Sequence, residues 1–253
     1  MRRADLDRAD RDALGPAATL HLRDTGYRHL VAACEDLLDP VPYDRWPRHH
    51  QHFGASFAVT SHAYTRAGGV PPIPALEDVA LYRALVAVDA RVRHSPDVRV
   101  VTSGRRSSRV PIGLATQLAE WTQMREEGQP WLVESAASVE RRLRARHRLR
   151  VAWRHAQSGR RLCETDRDGL AGELGAALGW LDDALERRGP FGALPQAVEA
   201  YHHAWGRPWE YGAPVDIADA VRDLRAALPR LASMAPGRLD AREEIEPEAA
   251  YSK

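Results

Sequence analysis

HFGASFAVTSHAYTRAGGVPPIPALEDVALYRALVAVDARVRHSPDVRVVTSGRRSSR, from His52 to Arg109, carries the densest set of signals in the 253-residue chain. Gly54-Ala55-Ser56 leads into the apolar run Phe57-Ala58-Val59, which predicts a short buried strand from Gly54 to Thr60. Ser61 to Ala67 reads as a single helical turn. Gly68-Gly69, then Pro71, Pro72 and Pro74, make a loop that cannot be regular structure. Glu77 to Val88 has helical spacing through Val79, Tyr82, Leu85 and Val86, with its acids in the first turn, where the helix dipole favours them. Val92 and Val98-Val100-Val101 predict two short strand pieces broken at Ser95-Pro96. Arg105, Arg106 and Arg109 close the stretch as a basic loop.

Outward from this stretch the chain is mainly helical. Upstream, residues 1–16 are charge-dense and predict a mobile tail. Tyr27, Leu30, Val31, Cys34, Leu37 and Leu38 mark one amphipathic helix, ended by Asp39-Pro40-Val41-Pro42. A wet loop rich in His and Trp follows, Tyr43 to His52. Downstream, Ile112–Arg125, Val133–Gln157, Asp168–Arg187, Leu194–Trp205 and Pro214–Leu231 all carry helical spacing, and the polar end from Pro236 predicts disorder. The division expected is a tail over 1–16, a module over 17–127, a helical domain over 128–235 and a tail over 236–253.

Composition narrows the classes. An apolar content of 44% can build a core, and a net charge of +1 gives no bulk pull toward nucleic acid or anionic membrane. Lys253 is the only lysine, so the positive charge is arginine, which suits phosphate and carboxylate recognition. Cys34 and Cys163 are far apart and lack metal-type spacing, which predicts reduced thiols in a cytoplasmic protein. No apolar run approaches the roughly 18 residues needed to span a bilayer, and the charged N-terminus is not a signal peptide.

The chemistry-bearing residues each carry two readings. Glu77-Asp78 complements a helix dipole; behind a Gly-Gly turn and a proline loop it also faces a cleft edge, where a carboxylate can take a proton from a substrate hydroxyl. His49, His50 and His52 are imidazoles of the kind that hold zinc or manganese, but their spacing matches no closed tetrahedral site, so a solvated loop with one His reaching the cleft is expected. The arginines between Arg141 and Arg154 form either a face neutralised by neighbouring acids or an anion-binding face. Trp46 and Trp131 are core residues or sugar platforms. No Walker loop, G-x-G-x-x-G or G-x-S-x-G is present.

The order G-A-S-(apolar)3, A-Y-x-x-A-G-G, E-D-V-A-L, V-x-x-x-x-R over about residues 27–125 resembles the acceptor-side half of family 2 glycosyltransferases with the GT-A fold. That resemblance implies an α/β fold: a partial GT-A-like small sheet with packed helices, followed by a mainly helical C-terminal domain. It implies inverting transfer of a sugar from a nucleotide-sugar to a hydroxyl acceptor, with Asp78 as general base and Glu77 its neighbour. Gly54, Ala55 and Ser56 would line the sugar and acceptor pocket with His52, and Gly68-Gly69 would form the turn before the acidic helix. Arg105, Arg106 and Arg109 would close over a diphosphate, and His94 would ligate a divalent metal, manganese or magnesium, or the diphosphate; read from its own surroundings it is a satisfied histidine at a strand end. The family's donor half, with its D-x-D metal motif, has no counterpart in the roughly 50 residues before Gly54; Asp5-Leu6-Asp7 follows no apolar strand. The expectation is a C-terminal portion that works with a separate donor-half polypeptide or as a homo-oligomer. The alternative is a non-catalytic scaffold derived from such an enzyme and acting through protein contacts.

Overall fold

A computed structural model describes residues 16–101, 112–206 and 211–234. The two tails, apart from Pro16, and the loop carrying Arg105, Arg106 and Arg109 lie outside the described residues. We label the helices α1 Pro16–Leu38, α2 Ser61–Arg66, α3 Glu77–Ala87, α4 Leu114–Glu126, α5 Ala136–Gln157, α6 Glu164–Leu174, α7 Leu178–Glu186, α8 Ala193–Ala204 and α9 Ile217–Met234. Two short strands, β1 Leu132–Val133 and β2 Val215–Asp216, pair antiparallel, Leu132 opposite Asp216 and Val133 opposite Val215.

The protein is helix-rich, and α5 is its axis. One face of its first half, Val139 and Leu143, packs against Tyr27, Leu30, Cys34 and Leu37 of α1 and Leu224, Leu228 and Leu231 of α9. Its second half, Leu149 and Ala152, meets Leu170 and Leu174 of α6, Leu181 and Leu185 of α7 and Leu194 of α8. A 22-residue helix spans roughly 33 Å, enough to serve two apolar clusters end to end. Leu143 and Leu181 are wholly buried, so truncating either to Ala costs about 2–5 kcal/mol. The β1–β2 ladder sits just ahead of α5 and α9 and ties their starts together, with the Ile217 N–H donating to the Trp131 carbonyl at 2.9 Å. The Ser135 hydroxyl caps α5 by accepting from the Ser138 N–H at 3.2 Å.

Several elements differ from the sequence reading. Gly54–Ser56 is a 3-10 turn, and Phe57–Thr60, Val92 and Val98–Val101 form no strand. A strand needs a neighbouring strand to take its backbone groups, and among the described residues only β1 and β2 form such a ladder. The sheet expected around the Glu77 helix is therefore absent there, and Val98 and Val101 are exposed instead of buried. The span Asp168–Arg187 is two helices, because Gly175 adopts a left-handed φ of 60° and closes α6. The helix expected from Tyr27 begins at Pro16, a residue pre-set for a helix start.

Helix α3 is anchored at its C-terminal end. The Asp89 carboxylate accepts the Phe191 and Gly192 N–H groups at 2.8 and 2.7 Å, and Gln196 donates to the Arg83 carbonyl at 2.8 Å. Leu81 and Leu85 are its buried residues. Its other end carries Glu77 and Asp78.

Candidate functional site

The last turns of α1 place Glu35, Asp36 and Asp39 at a helix C-terminus, where the dipole disfavours negative charge. Arginines from elsewhere compensate. Asp39, fully buried, accepts from Arg146 Nε at 2.7 Å and from Arg150 Nε and Nη2, both at 2.8 Å. Asp36, also fully buried, accepts from Arg45 Nε at 2.7 Å. Glu35 pairs with Arg48 and, at 3.3 Å, with Arg146. Burial alone would raise the Glu35 and Asp39 carboxyls. The guanidinium groups overcome it and hold both below the ordinary carboxylate range.

Asp44 stitches the histidine loop to the segment after α3. Its Oδ2 accepts from Arg48 Nη1 at 2.6 Å and from His94 Nδ1 at 2.8 Å; its Oδ1 accepts from the His94 N–H at 2.8 Å and Arg93 Nη1 at 3.2 Å. Burial opposes ionisation here too, but His94 and Arg48 hold the Asp44 carboxyl well below its usual range. A carboxylate accepting at Nδ1 fixes the His94 proton there and leaves Nε2 as its basic nitrogen. The His49 N–H donates to the His94 carbonyl at 3.1 Å, and His49 Nδ1 accepts from the Gln51 N–H at 3.0 Å.

Of these residues Glu35, Arg48, His49 and His94 line a cleft of about 300 Å³ between α1, the histidine loop, α3 and α5, together with His52 and Tyr82. Its rings run in sequence: His52 stacks on Tyr82 with centroids 4.4 Å apart, Tyr82 meets His94 at 5.8 Å, and His94 meets His49 at 5.4 Å. Burial, then the neighbouring His94, pushes His49 and His52 below the ordinary imidazole value. Burial and Glu35 push the Tyr82 phenol up.

Asp78 does not itself line this cleft; it is tied to the lining residues His52 and Tyr82 through Gly54 and through one turn of α3. Its Oδ2 accepts the Gly54 N–H at 2.7 Å and its Oδ1 the Val79 N–H at 2.8 Å. Tyr82 lies one turn on, on the same face of α3. The Gly54 bond and the His52 stack are thus two rungs of a single contact between residues 52–54 and α3. A Cβ at Gly54 would lie 3.3 Å from Asp78 Cβ and 3.4 Å from Oδ2, so the approach favours glycine. Leu76, just ahead of the acidic pair, holds a left-handed φ of 60°, a conformation that is costly for a residue with a γ-branched side chain. Each Asp78 oxygen keeps a further lone pair able to accept from a hydroxyl.

The residues named from sequence divide as follows. His52, Gly54 and Asp78 come together, His94 joins through Tyr82, and Ala55 and Ser56 continue the Gly54 turn. Glu77 is exposed and directed to no partner among the described residues. Gly68 and Gly69, at φ 83° and 78°, close α2 and do not line the cleft. Arg105, Arg106 and Arg109 lie outside the described residues. Arg142, Arg144, Arg146, Arg148 and Arg150 of α5 each pair with a carboxylate, the neutralised-face reading. Trp46 packs on the α1 cluster and Trp131 edge-on against Trp121 at 5.6 Å, so both are packing residues.

Sequence reasoning missed Asp44, Glu35, Arg48 and Tyr82. The Asp44–Arg48 spacing of four was the one local signal; the Asp44–His94 contact spans 50 residues and left none. For the divalent metal, no three His, Cys, Asp or Glu side chains converge among the described residues, and His94 offers one nitrogen. This donor set does not by itself fit such an ion. No helix among the described residues is long and apolar enough to cross a membrane. A scan against family models, a search of curated proteins and a search of solved structures each returned no match.

Proposed function

We propose that this chain is the acceptor-side module of an inverting glycosyl transfer from a nucleotide-sugar to a hydroxyl acceptor, with Asp78 as general base. One observation carries the reading: the two pieces of the family-like pattern, Gly54-Ala55-Ser56 and the Glu77-Asp78 helix start, meet through the 2.7 Å Asp78–Gly54 bond, two residues from His52 and one helical turn from Tyr82 of the cleft wall. The bonds from the Gly54 and Val79 N–H groups fix the carboxylate before substrate arrives, which is what a positioned base requires. Asp78 would take the acceptor proton as the acceptor oxygen attacks the anomeric carbon and the nucleoside diphosphate leaves. His52 and Tyr82 supply a stacked aromatic wall for the acceptor. The divalent metal would enter with the donor diphosphate, since the donor set here does not by itself fit it and His94 Nε2 supplies at most one ligand.

A second reading, a non-catalytic scaffold, is favoured by a different observation. Nine of the fourteen most exposed large apolar side chains among the described residues lie between Phe53 and Val101, the surface of a chain that meets a protein partner. Calorimetric titration of the full chain with UDP, GDP and their sugars, with and without manganese, separates the two. Saturable binding in the micromolar range supports the transferase reading. The absence of heat from every nucleotide overturns it in favour of the scaffold.

A further inference from the structure

A second cleft, of about 330 Å³, opens where α5 ends, between α6 and α7. Its floor is Ala152, Ala156, Leu162 and Leu185, and its rim carries Arg160, Arg161, Arg167 and Arg188 against two carboxylates, Asp182 and Glu186. Two of these arginines are engaged. Arg161 pairs with Glu186 at an exposed site, and Arg167 makes only long contacts to Asp182, 3.3 and 3.4 Å, both from Nη1. Arg167 Nε is buried with no acceptor, a desolvated donor left unsatisfied. Arg160 and Arg188 make no side-chain hydrogen bond or ion pair among the described residues.

The helix ends nearby do not consume this charge. The terminal carbonyls of α5 are taken by backbone N–H groups: Arg154 by Ser158, His155 by Arg160 and Ala156 by Gly159. The Leu185 carbonyl of α7 is taken by the Arg188 N–H. Arg188 moreover holds a left-handed φ of 49°, a strained conformation that structures keep at functional positions more often than elsewhere.

We infer that this cleft binds a phosphate group carried on a compact apolar body, an organic phosphate or diphosphate. Arg160, Arg188 and the under-bonded Arg167 supply planar, forked donors that match phosphate oxygens. The alanine and leucine floor takes the apolar part, and the volume suits a small ligand. The site is separate from the Asp78 cleft: Ala156 lies 14 residues along α5 from Arg142, roughly 20 Å. Nucleotide binding that survives R160Q/R188Q belongs outside this cleft, so its failure and that of the transferase reading are distinguishable.

The test titrates the full chain with inorganic phosphate, inorganic pyrophosphate and hexyl phosphate by calorimetry, beside the double variant R160Q/R188Q. Both arginines are exposed and unbonded, so the variant keeps the wild-type thermal midpoint. The expected result is saturable binding, tighter for hexyl phosphate than for inorganic phosphate, weakened roughly tenfold per arginine removed. Co-sedimentation with phosphatidylcholine vesicles containing phosphatidic acid, lost in R160Q/R188Q, would place the same phosphate on a lipid headgroup. Absence of binding to all probes, or binding that R160Q/R188Q leaves unchanged, overturns the inference.

Discussion

Replacing Asp39 with Ala removes the carboxylate on which α1 and α5 are joined. Its side chain is 0% exposed, and those of Arg146 and Arg150 are 28% and 16% exposed. Three charge-assisted bonds, of 2.7, 2.8 and 2.8 Å, end on it. Bonds to charged groups contribute about 1.5–3 kcal/mol each, but these three share one desolvated carboxylate and do not add. Leaving a buried charge without its partner costs about 3–5 kcal/mol, and Arg146 retains Glu35 at 3.3 Å, so the lower half of that range is expected. A domain's whole stability is about 5–15 kcal/mol, so D39A removes a large share of it without abolishing folding. Urea unfolding followed by circular dichroism measures the difference as a lowered midpoint at unchanged slope. The control is E199A, which removes the exposed Arg83–Glu199 pair and should cost under about 1 kcal/mol. Because the folded-state Asp39 carboxyl is held below its unfolded value, its contribution is present above about pH 4 and is lost as pH falls further. D39A costing no more than E199A at pH 7 would refute the reasoning.

Other outcomes follow from the same geometry. A Cβ at Gly192 would lie 1.7 Å from the Val86 carbonyl oxygen, so G192A should separate α3 from α8 and lower the thermal midpoint by more than any other Gly→Ala change away from positive φ. His49 and His52 are depressed by burial and by His94, so unfolding gains protons and stability should fall as pH drops below about 6.5. Thermal melts from pH 8 to pH 5 will show that slope, and H49Q/H52Q should flatten it. Burial pushes the Cys34 thiol up to about 12, whereas Cys163 is exposed. A thiol reagent at pH 8 should therefore titrate one cysteine in the native chain and two after unfolding.

How far the sequence disclosed this molecule depends on the range of each contact. Helix α3 was legible because its signal is local: acids in the first turn and apolar residues at three and four spacing set Glu77–Ala87 against an expected Glu77–Val88. Of the stripe expected on α9, Val215, Ala218, Val221, Leu224, Leu228 and Leu231, the last three are buried, while Ile217 and Ala220 take the places expected of Ala218 and Val221. Phe57-Ala58-Val59 misled, since aromatic and β-branched residues favour a strand only where another strand accepts their backbone. Gly175 split one expected helix because a left-handed turn leaves no trace in hydrophobic spacing. At the candidate site, Asp78, Gly54, His52 and His94 were named from sequence and stand together or joined through Tyr82. Asp44 was invisible: its value comes from Arg93 and His94, about fifty residues on, and only the fold brings them to it.

The central claim rests on Asp78, and turnover tests it most directly. Wild type and D78N would be incubated with UDP- and GDP-sugars, manganese and a panel of hydroxyl acceptors, and nucleoside diphosphate release followed. The account expects acceptor-dependent release by wild type and a loss of about 10²–10⁴-fold in D78N, with the thermal midpoint within a few degrees of wild type. Equal release by D78N, or none by wild type across the panel, would contradict it.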